Sequence, residues 1–138
     1  MLGGGYGQEY SRLLAGQLDS TDWKPVVSFY TDLRRLADSV GARLFVVIMP
    51  VNGIIASHDP RAQTYPQLAR KTLEAEGIPW VDGFAVLRAR GLNIRDAFLP
   101  MGPDSHPTPA TYRAIAQTLA DSLSHDPATA ALLSRGVR

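Results

Sequence analysis

Twice in this chain a stretch with helical periodicity runs into a glycine and then into a short apolar segment. In residues 25–40 the apolar side chains recur every three or four positions, Gly41 stops the pattern, and the run ARLFVVIMP follows. Residues 65–76 repeat this order, with Gly77 as the stop and IPWVD as the apolar run. Alternating helices and strands with short connections are typical of an α/β fold with a mainly parallel sheet.

The same periodicity predicts which faces of the helices are buried. In the first helix we expect one buried face, and in a later helix over residues 109–124 a second one. Residues 83–91 are predicted to form a brief helix and residues 127–134 a short final helix, whereas 51–62 and 92–99 read as irregular. The expected buried positions are Val26, Phe29, Leu33, Leu36 and Val40 in the first helix, and Tyr112, Ile115, Leu119 and Leu123 in the later one.

The predicted fold is a single α/β domain over residues 1–138, with three layers and a mainly parallel, flavodoxin-like sheet flanked by helices. A strand that is apolar on both faces, such as LFVVI, suits the middle of such a sheet. Two strands are few for a free-standing sheet, because folds of this class usually need three or more. We therefore expect the sheet to be incomplete at the N-terminus.

Composition excludes several classes of protein. Hydrophobic residues make up 45% of the chain and charged residues 20%, as in a folded globular domain. The net charge of +1 leaves no basic stripe for nucleic acid, and no apolar run approaches the roughly 20 residues that span a bilayer. The glycine-rich opening, MLGGGYG, matches no phosphate-binding pattern. Neither the compartment nor the oligomeric state follows from the sequence, and the absence of cysteine does not decide the compartment.

In open α/β sheets, reacting groups gather on the loops after the strands, and one such segment is PMGPDSHPTP, residues 100–109. In an extended segment Asp104 and His106 point to the same side, so the carboxylate can hold the imidazole in the tautomer that a general base needs. The alternative is structural. Thr108 followed by Pro109 makes a good helix cap, so the acid and the histidine would simply lead into it.

Other polar positions have candidate roles as well. Asn52 and Ser57, after the first strand, are candidate substrate-binding residues, while His58 and Asp59 suit a turn before Pro60. We predict no metal site, because no ligand spacing joins His58, Asp59, Asp104 and His106. Two further side chains have structural interpretations: Asp82 as a helix cap, and His125 at the negative end of a helix dipole.

In this order of elements the chain resembles the C-terminal half of the SGNH, or GDSL-type, hydrolases. The resemblance is carried by VVSFYTDLRRLADSVGA, RLFVVIMP, LARKTLEAEGIPWVDGFAVL and, above all, FLPMGPDSHPTPATYRAIAQTLADSL. That family places the Asp and His of its triad just before the last long helix. The positions that fall into this pattern are Asp104, His106, Pro107, Tyr112, Ile115 and Ala116. One residue separates the acid from the histidine where two are usual, so the match is firmer for His106 than for Asp104.

The front of the family's pattern is missing. SGNH hydrolases carry their nucleophilic serine in a Gly-Asp-Ser motif and their oxyanion hole in a glycine block and a Gly-x-Asn-Asp block, none of which is present here. Ser57 and Ser105 are the serines nearest the predicted active end. The resemblance therefore implies that this chain is the C-terminal part of a protein about twice as long, or begins at a start codon placed too late.

The resemblance implies a serine esterase or acyl hydrolase that needs no cofactor. Its substrate would be a small acyl ester, for example an O-acetyl group on a carbohydrate, with His106 as the general base and Asp104 orienting it. The alternative function is a non-catalytic α/β domain that binds a ligand or a partner. As an isolated fragment without nucleophile or oxyanion hole, the chain would show little hydrolysis.

Overall fold

The computed structural model describes residues 20–56, 60–100 and 106–135. Seven α-helices and one 3₁₀ turn account for most of these residues, and two short strands lie among them. The helices are α1 (Ser20–Ser39), α2 (Asn52–Ala56), α3 (Thr64–Ala75), α4 (Gly83–Ala89), α5 (Ile94–Ala97), α6 (Pro109–His125) and α7 (Pro127–Arg135). The strands are β1 (Val46–Ile48) and β2 (Trp80–Asp82), and the 3₁₀ turn is Pro60–Gln63.

The two strands pair in parallel through a helical crossover. Val46 lies opposite Trp80 and Ile48 opposite Asp82, and α2, the 3₁₀ turn and α3 connect them. Since both strands end at the same edge, the residues that follow Ile48 and Asp82 leave the sheet side by side. This edge is where the polar loops were expected to gather.

The predicted three-layer fold with a mainly parallel sheet is wrong. The structure is 71% helix and 8% strand, and its sheet has only two strands within the described residues. Each strand is three residues long, so the apolar run ARLFVVIMP supplies much less strand than its length suggested. The one further extended pairing in the described part of the chain is an isolated antiparallel bridge between Phe98 and Pro107.

Helices cover both faces of the strand pair because the strand residues alternate between them. On one face, Ile48 packs with Trp23 of α1 and Leu73 of α3. On the other face, Val81 packs with Val86 of α4 and Ile115 of α6. A third cluster, formed by Leu87, Ala97 and Phe98, joins α4 to α5.

Only part of the stripe expected to be buried on helix α1 faces the core. Phe29, Leu36 and Val40 are 59%, 61% and 70% exposed. Val26 of the expected stripe packs on the core together with Trp23, Val27 and Tyr30, and Leu33 is half-buried. The indole Nε1 of Trp23 donates a buried hydrogen bond of 2.7 Å to Thr72 Oγ1 on α3. The expected and the observed stripes share Val26, and packing against α3 turns the Trp23 side of the helix inward.

In α6 the predicted face is buried in part. Ile115 lies in the core and Leu119 and Leu123 are half-buried, whereas Tyr112 is 48% exposed.

Glycines end the first and third helices, as the sequence predicted. Gly77 has a φ of +63° and its N–H donates to Glu74 O, while Ile78 N–H donates to Leu73 O. This is a Schellman motif, whose left-handed residue favours glycine. Ile78 and Leu73 also pack in the same cluster, so the cap leads the chain directly back into the core.

Gly83, the first residue of α4, is required for a different reason. A Cβ added there would lie 2.6 Å from Ile48 O and 2.6 Å from Pro50 Cδ. The start of α4 therefore lies directly against the end of β1, which leaves no room for a side chain. This contact brings the ends of the two strands together.

Two segments that read as irregular contain short helices. Residues 51–62 include α2 and part of the 3₁₀ turn, and residues 92–99 include α5, where Asn93 Oδ1 accepts hydrogen bonds from the N–H groups of Arg95 and Asp96. The predicted helices over 83–91, 109–124 and 127–134 are confirmed as α4, α6 and α7. No helix within the described ranges is both long and apolar enough to span a bilayer.

Candidate functional site

The segment that carries His106 is fixed by its backbone. Leu99 N–H donates to His106 O at 2.9 Å, and Thr108 N–H donates to Ala97 O at 2.8 Å, on either side of the Phe98–Pro107 bridge. The side chain of His106 is exposed. The imidazole is therefore presented to solvent from a backbone that cannot move freely. Asp104, its predicted orienting partner, lies outside the described residues.

The structural interpretation of the same segment is confirmed. Thr108 is the N-cap of α6, and its Oγ1 accepts from Thr111 N–H at 3.4 Å, with Pro109 at the first helical position. Thr108 Oγ1 also donates to Asp96 O at 2.8 Å, and Thr111 Oγ1 donates to Ala97 O at 2.9 Å. These bonds tie α6 to the end of α5. A cap and a functional histidine are compatible, because the cap uses neither ring nitrogen of His106.

Of the two predicted substrate-binding residues, the structure describes only Asn52. It is half-buried and begins α2 just beyond the end of β1, at the edge where both strands end. Helix α2 contacts α5, and α5 contacts α6. Helix α5 thus lies between the helix that begins at Asn52 and the helix that follows His106. Ser57, with His58 and Asp59, lies outside the described residues.

Asp82 has a larger role than the cap predicted from the sequence. Its Oδ1 accepts a hydrogen bond of 2.9 Å from Phe84 N–H, which confirms the cap of α4. Its Oδ2 lies 2.7 Å from Arg70 Nη2 of α3 and 3.9 Å from Arg88 Nη2 of α4. Two cations therefore face one carboxylate, and the closer of them takes the short contact. Sequence reasoning missed both arginines, because no local spacing relates Arg70 to Asp82.

A cavity of about 240 Å³ lies between α2, α4 and α5, and we name it the α2–α4–α5 cavity. Its wall is apolar except for Gln63 and Arg88. The apolar lining consists of Ile55, Phe84, Leu87, Leu92, Ile94 and Ala97. Sequence reasoning missed this cavity too. Its lining on α2 and α5 comes from segments that read as irregular, and α4 had no predicted functional role.

A larger cavity, of about 330 Å³, runs along the edge of β2 that faces away from β1. Its charged lining residues are Asp82, which Arg70 already pairs, and Arg90, which donates to Gln117 Oε1 at 3.3 Å. The remaining walls are apolar side chains, Thr118 and Ser122. No two polar groups that lack partners converge on this space within the described part of the protein.

The groups with clearly shifted pKa values in the described ranges lie away from these features. Burial raises the pKa of Tyr65, and the neighbouring Tyr30 adds to the effect. The backbone N–H of Thr129 is the main cause that lowers the pKa of Asp126. His125 Nδ1 lies 2.7 Å from Asp121 O in the last turn of α6, in agreement with the predicted structural role.

No group of three or more histidine, cysteine, aspartate or glutamate side chains could hold a metal ion among residues 20–56, 60–100 and 106–135. No protein-family model, no curated protein and no solved structure matches this chain.

Proposed function

We propose that the chain acts in hydrolysis or transfer of a small acyl ester, with His106 as the general base, as the resemblance to the SGNH hydrolases implies. The observation that carries the proposal is the placement of His106. Its imidazole is exposed, and its carbonyl is held by Leu99 N–H in the segment that leads into α6. A general base must reach a substrate and keep its position, and an exposed imidazole on a hydrogen-bonded backbone supports that role.

The chemistry assigned to His106 has two stages, which are transfer of the acyl group to a serine and its release by water. The imidazole takes the proton of a serine hydroxyl as the serine oxygen bonds to the ester carbonyl carbon. It then gives that proton to the leaving alcohol oxygen as the carbon–oxygen bond breaks, which leaves the acyl group on the serine. The imidazole next takes a proton from water as the water oxygen bonds to the acyl carbon, and it returns this proton to the serine oxygen as the acyl–serine bond breaks. Asp104 would orient the ring. No serine of this chain lies in a nucleophile motif, so we assign the base and leave the nucleophile open.

The substrate class follows the same resemblance: a small acyl ester, such as an O-acetyl group on a carbohydrate, with no cofactor. The proposal rests on the segment around His106.

The test measures turnover of p-nitrophenyl acetate by the complete protein and by its His106→Ala variant. A general base contributes about 10²–10⁴-fold to the rate, so a loss of that size is expected. His125→Ala is the matched control, because His125 is also exposed but lies at the far end of α6. The turnover of this variant should equal that of the parent protein. Equal loss in both variants, or none in His106→Ala, would refute the assignment.

Labelling with a fluorophosphonate tests the nucleophile separately. Reaction of one serine in the folded protein, identified by peptide mass analysis, supports the hydrolase. If no serine reacts in the complete, folded protein, serine hydrolysis is excluded.

The second candidate function is a non-catalytic ligand-binding domain. The α2–α4–α5 cavity favours it, because small-molecule sites are concave and mainly apolar with a few polar groups. Ligand binding without ester turnover would decide for this candidate.

A further inference from the structure

The α2–α4–α5 cavity combines an apolar wall with one loosely paired cation. Five of its lining side chains belong to one hydrophobic cluster, in which Leu87 and Ala97 are almost fully buried and Ile55, Leu92 and Ile94 pack against them. The space therefore continues the hydrophobic core of this end of the molecule. An occupant would exchange water for aliphatic side chains on most of its surface.

The charge at the cavity comes from Arg88. Its Nη2 is 3.9 Å from Asp82 Oδ2, while Arg70 Nη2 is only 2.7 Å from that same oxygen. Asp82 is thus already paired with a closer and more buried arginine, since the Arg88 side chain is 66% exposed and that of Arg70 only 27%. Two guanidinium charges against one carboxylate leave a net positive charge beside the cavity. Arg88 has five N–H donors, and its contact to Asp82 is too long to be a good hydrogen bond.

The size of the cavity limits the ligand. A volume of about 240 Å³ corresponds to roughly eight water-sized groups, at about 30 Å³ for each. This is smaller than a typical cofactor site and suits a compound of about eight non-hydrogen atoms. A single cation matches a single negative charge, and a planar guanidinium matches a carboxylate in particular.

We propose that the α2–α4–α5 cavity is a binding site for a small monocarboxylic acid with a short aliphatic chain. The chain lies against Ile55, Leu87 and Ile94, and the carboxylate accepts hydrogen bonds from Arg88. Gln63, the second polar residue of the lining, can donate its amide N–H to the same group. This site does not depend on catalysis by His106, and binding can be measured whether or not the protein cleaves esters.

The probe is hexanoate, which has eight non-hydrogen atoms and one negative charge. Its binding to the complete protein is followed by calorimetry and by the methyl NMR signals of Ile55, Leu87 and Ile94. We expect saturable binding that shifts these signals, and weaker binding of 1-hexanol, which has the same chain without the charge. Absence of saturable binding, or equal affinity for the alcohol, would overturn the proposal.

Arg88→Met tests the charge, because methionine keeps an unbranched stem but removes the guanidinium. The Kd for hexanoate should rise about tenfold or more, while that for 1-hexanol should change little. Arg90→Met is the matched control, since Arg90 follows the same helix but does not line this cavity. An equal rise in both variants would refute the role of Arg88.

Ile94→Phe tests the space independently of the charge. The larger side chain should fill part of the cavity and weaken both hexanoate and hexanol, with the fold checked by circular dichroism. If either compound binds this variant as well as the parent protein, the ligand lies elsewhere.

Discussion

Arg70 Nη2 lies 2.7 Å from Asp82 Oδ2, and this contact joins the middle of α3 to the end of β2. The other carboxylate oxygen of Asp82 accepts from Phe84 N–H and caps α4. One side chain therefore fixes the strand end, the following helix and the crossover helix together. Because Arg70 occupies the carboxylate that would otherwise pair with Arg88, a positive charge remains at the α2–α4–α5 cavity.

Replacing Asp82 should destabilise the protein by an amount that depends on the replacement. Asp82→Ala removes the cap and leaves Arg70 without its carboxylate, so we expect a loss of about 2 kcal/mol in the free energy of unfolding. Asp82→Asn keeps an oxygen that accepts from Phe84 N–H, so its loss in the free energy of unfolding should be about half that of Asp82→Ala. Urea unfolding followed by tryptophan fluorescence measures both.

Arg88→Met is the control for this series. Because its contact with Asp82 is long and its side chain exposed, it should change stability by less than about 0.5 kcal/mol. A loss for Arg88→Met as large as that for Asp82→Ala would show that the assignment of the short contact to Arg70 is wrong.

Thr111 should control how firmly the His106 segment is held. Its side chain is fully buried and its Oγ1 donates to Ala97 O, which also accepts from Thr108 N–H. Thr111→Val keeps the shape and loses that bond, so we expect a loss of about 1 kcal/mol. Hydrogen exchange at the amides of Leu99 and Thr108 should become faster, because these two amides hold the segment.

Thr111→Ser retains the hydroxyl, so hydrogen exchange at the amides of Leu99 and Thr108 should stay closer to the rate in the parent protein. Unchanged exchange in Thr111→Val would mean that the Phe98–Pro107 bridge holds the segment without α6.

Asp126 should make stability depend on pH in the acid range. Hydrogen bonds from Thr129 N–H (2.8 Å) and Oγ1 (2.9 Å), and the contact with Arg43 at 3.2 Å, hold the pKa of this carboxyl below its ordinary value of 3.8, although partial burial opposes them. A lowered pKa in the folded state means that the unfolded state binds the proton more readily. The stabilisation is therefore present above pH 3.8 and is lost as the pH falls towards the folded-state pKa.

The measurement compares unfolding of the parent protein and Asp126→Ala at neutral pH and at successively lower pH. The difference between their free energies of unfolding should be largest at neutral pH and shrink below pH 3.8. A difference that stays constant through this range would exclude the carboxylate as its source. Asp121→Ala is a suitable control, because it replaces an exposed carboxylate at the end of α6.

Short-range patterns in the sequence predicted the local structure well. The stops at Gly41 and Gly77, the Thr108 cap of α6 and the Asp82 cap of α4 are all present. Each depends on a residue and its neighbours within one helical turn, so the sequence contains the whole signal. For the same reason the sequence placed His106 directly before α6, although its partner Asp104 lies outside the described residues and the role of the pair stays a prediction.

The tertiary structure decided what depends on distant partners. A run such as LFVVI is compatible with a wide sheet, but the number of strands is set by what pairs beside it, and in the described residues only Trp80–Asp82 does so. Likewise the apolar residues of α1 allow two overlapping faces that share Val26, and contact with α3 buried the face that carries Trp23. The approach of Arg70 to Asp82, and the α2–α4–α5 cavity, arise from helices that only packing brings together, since no periodicity in a sequence specifies which surfaces will meet.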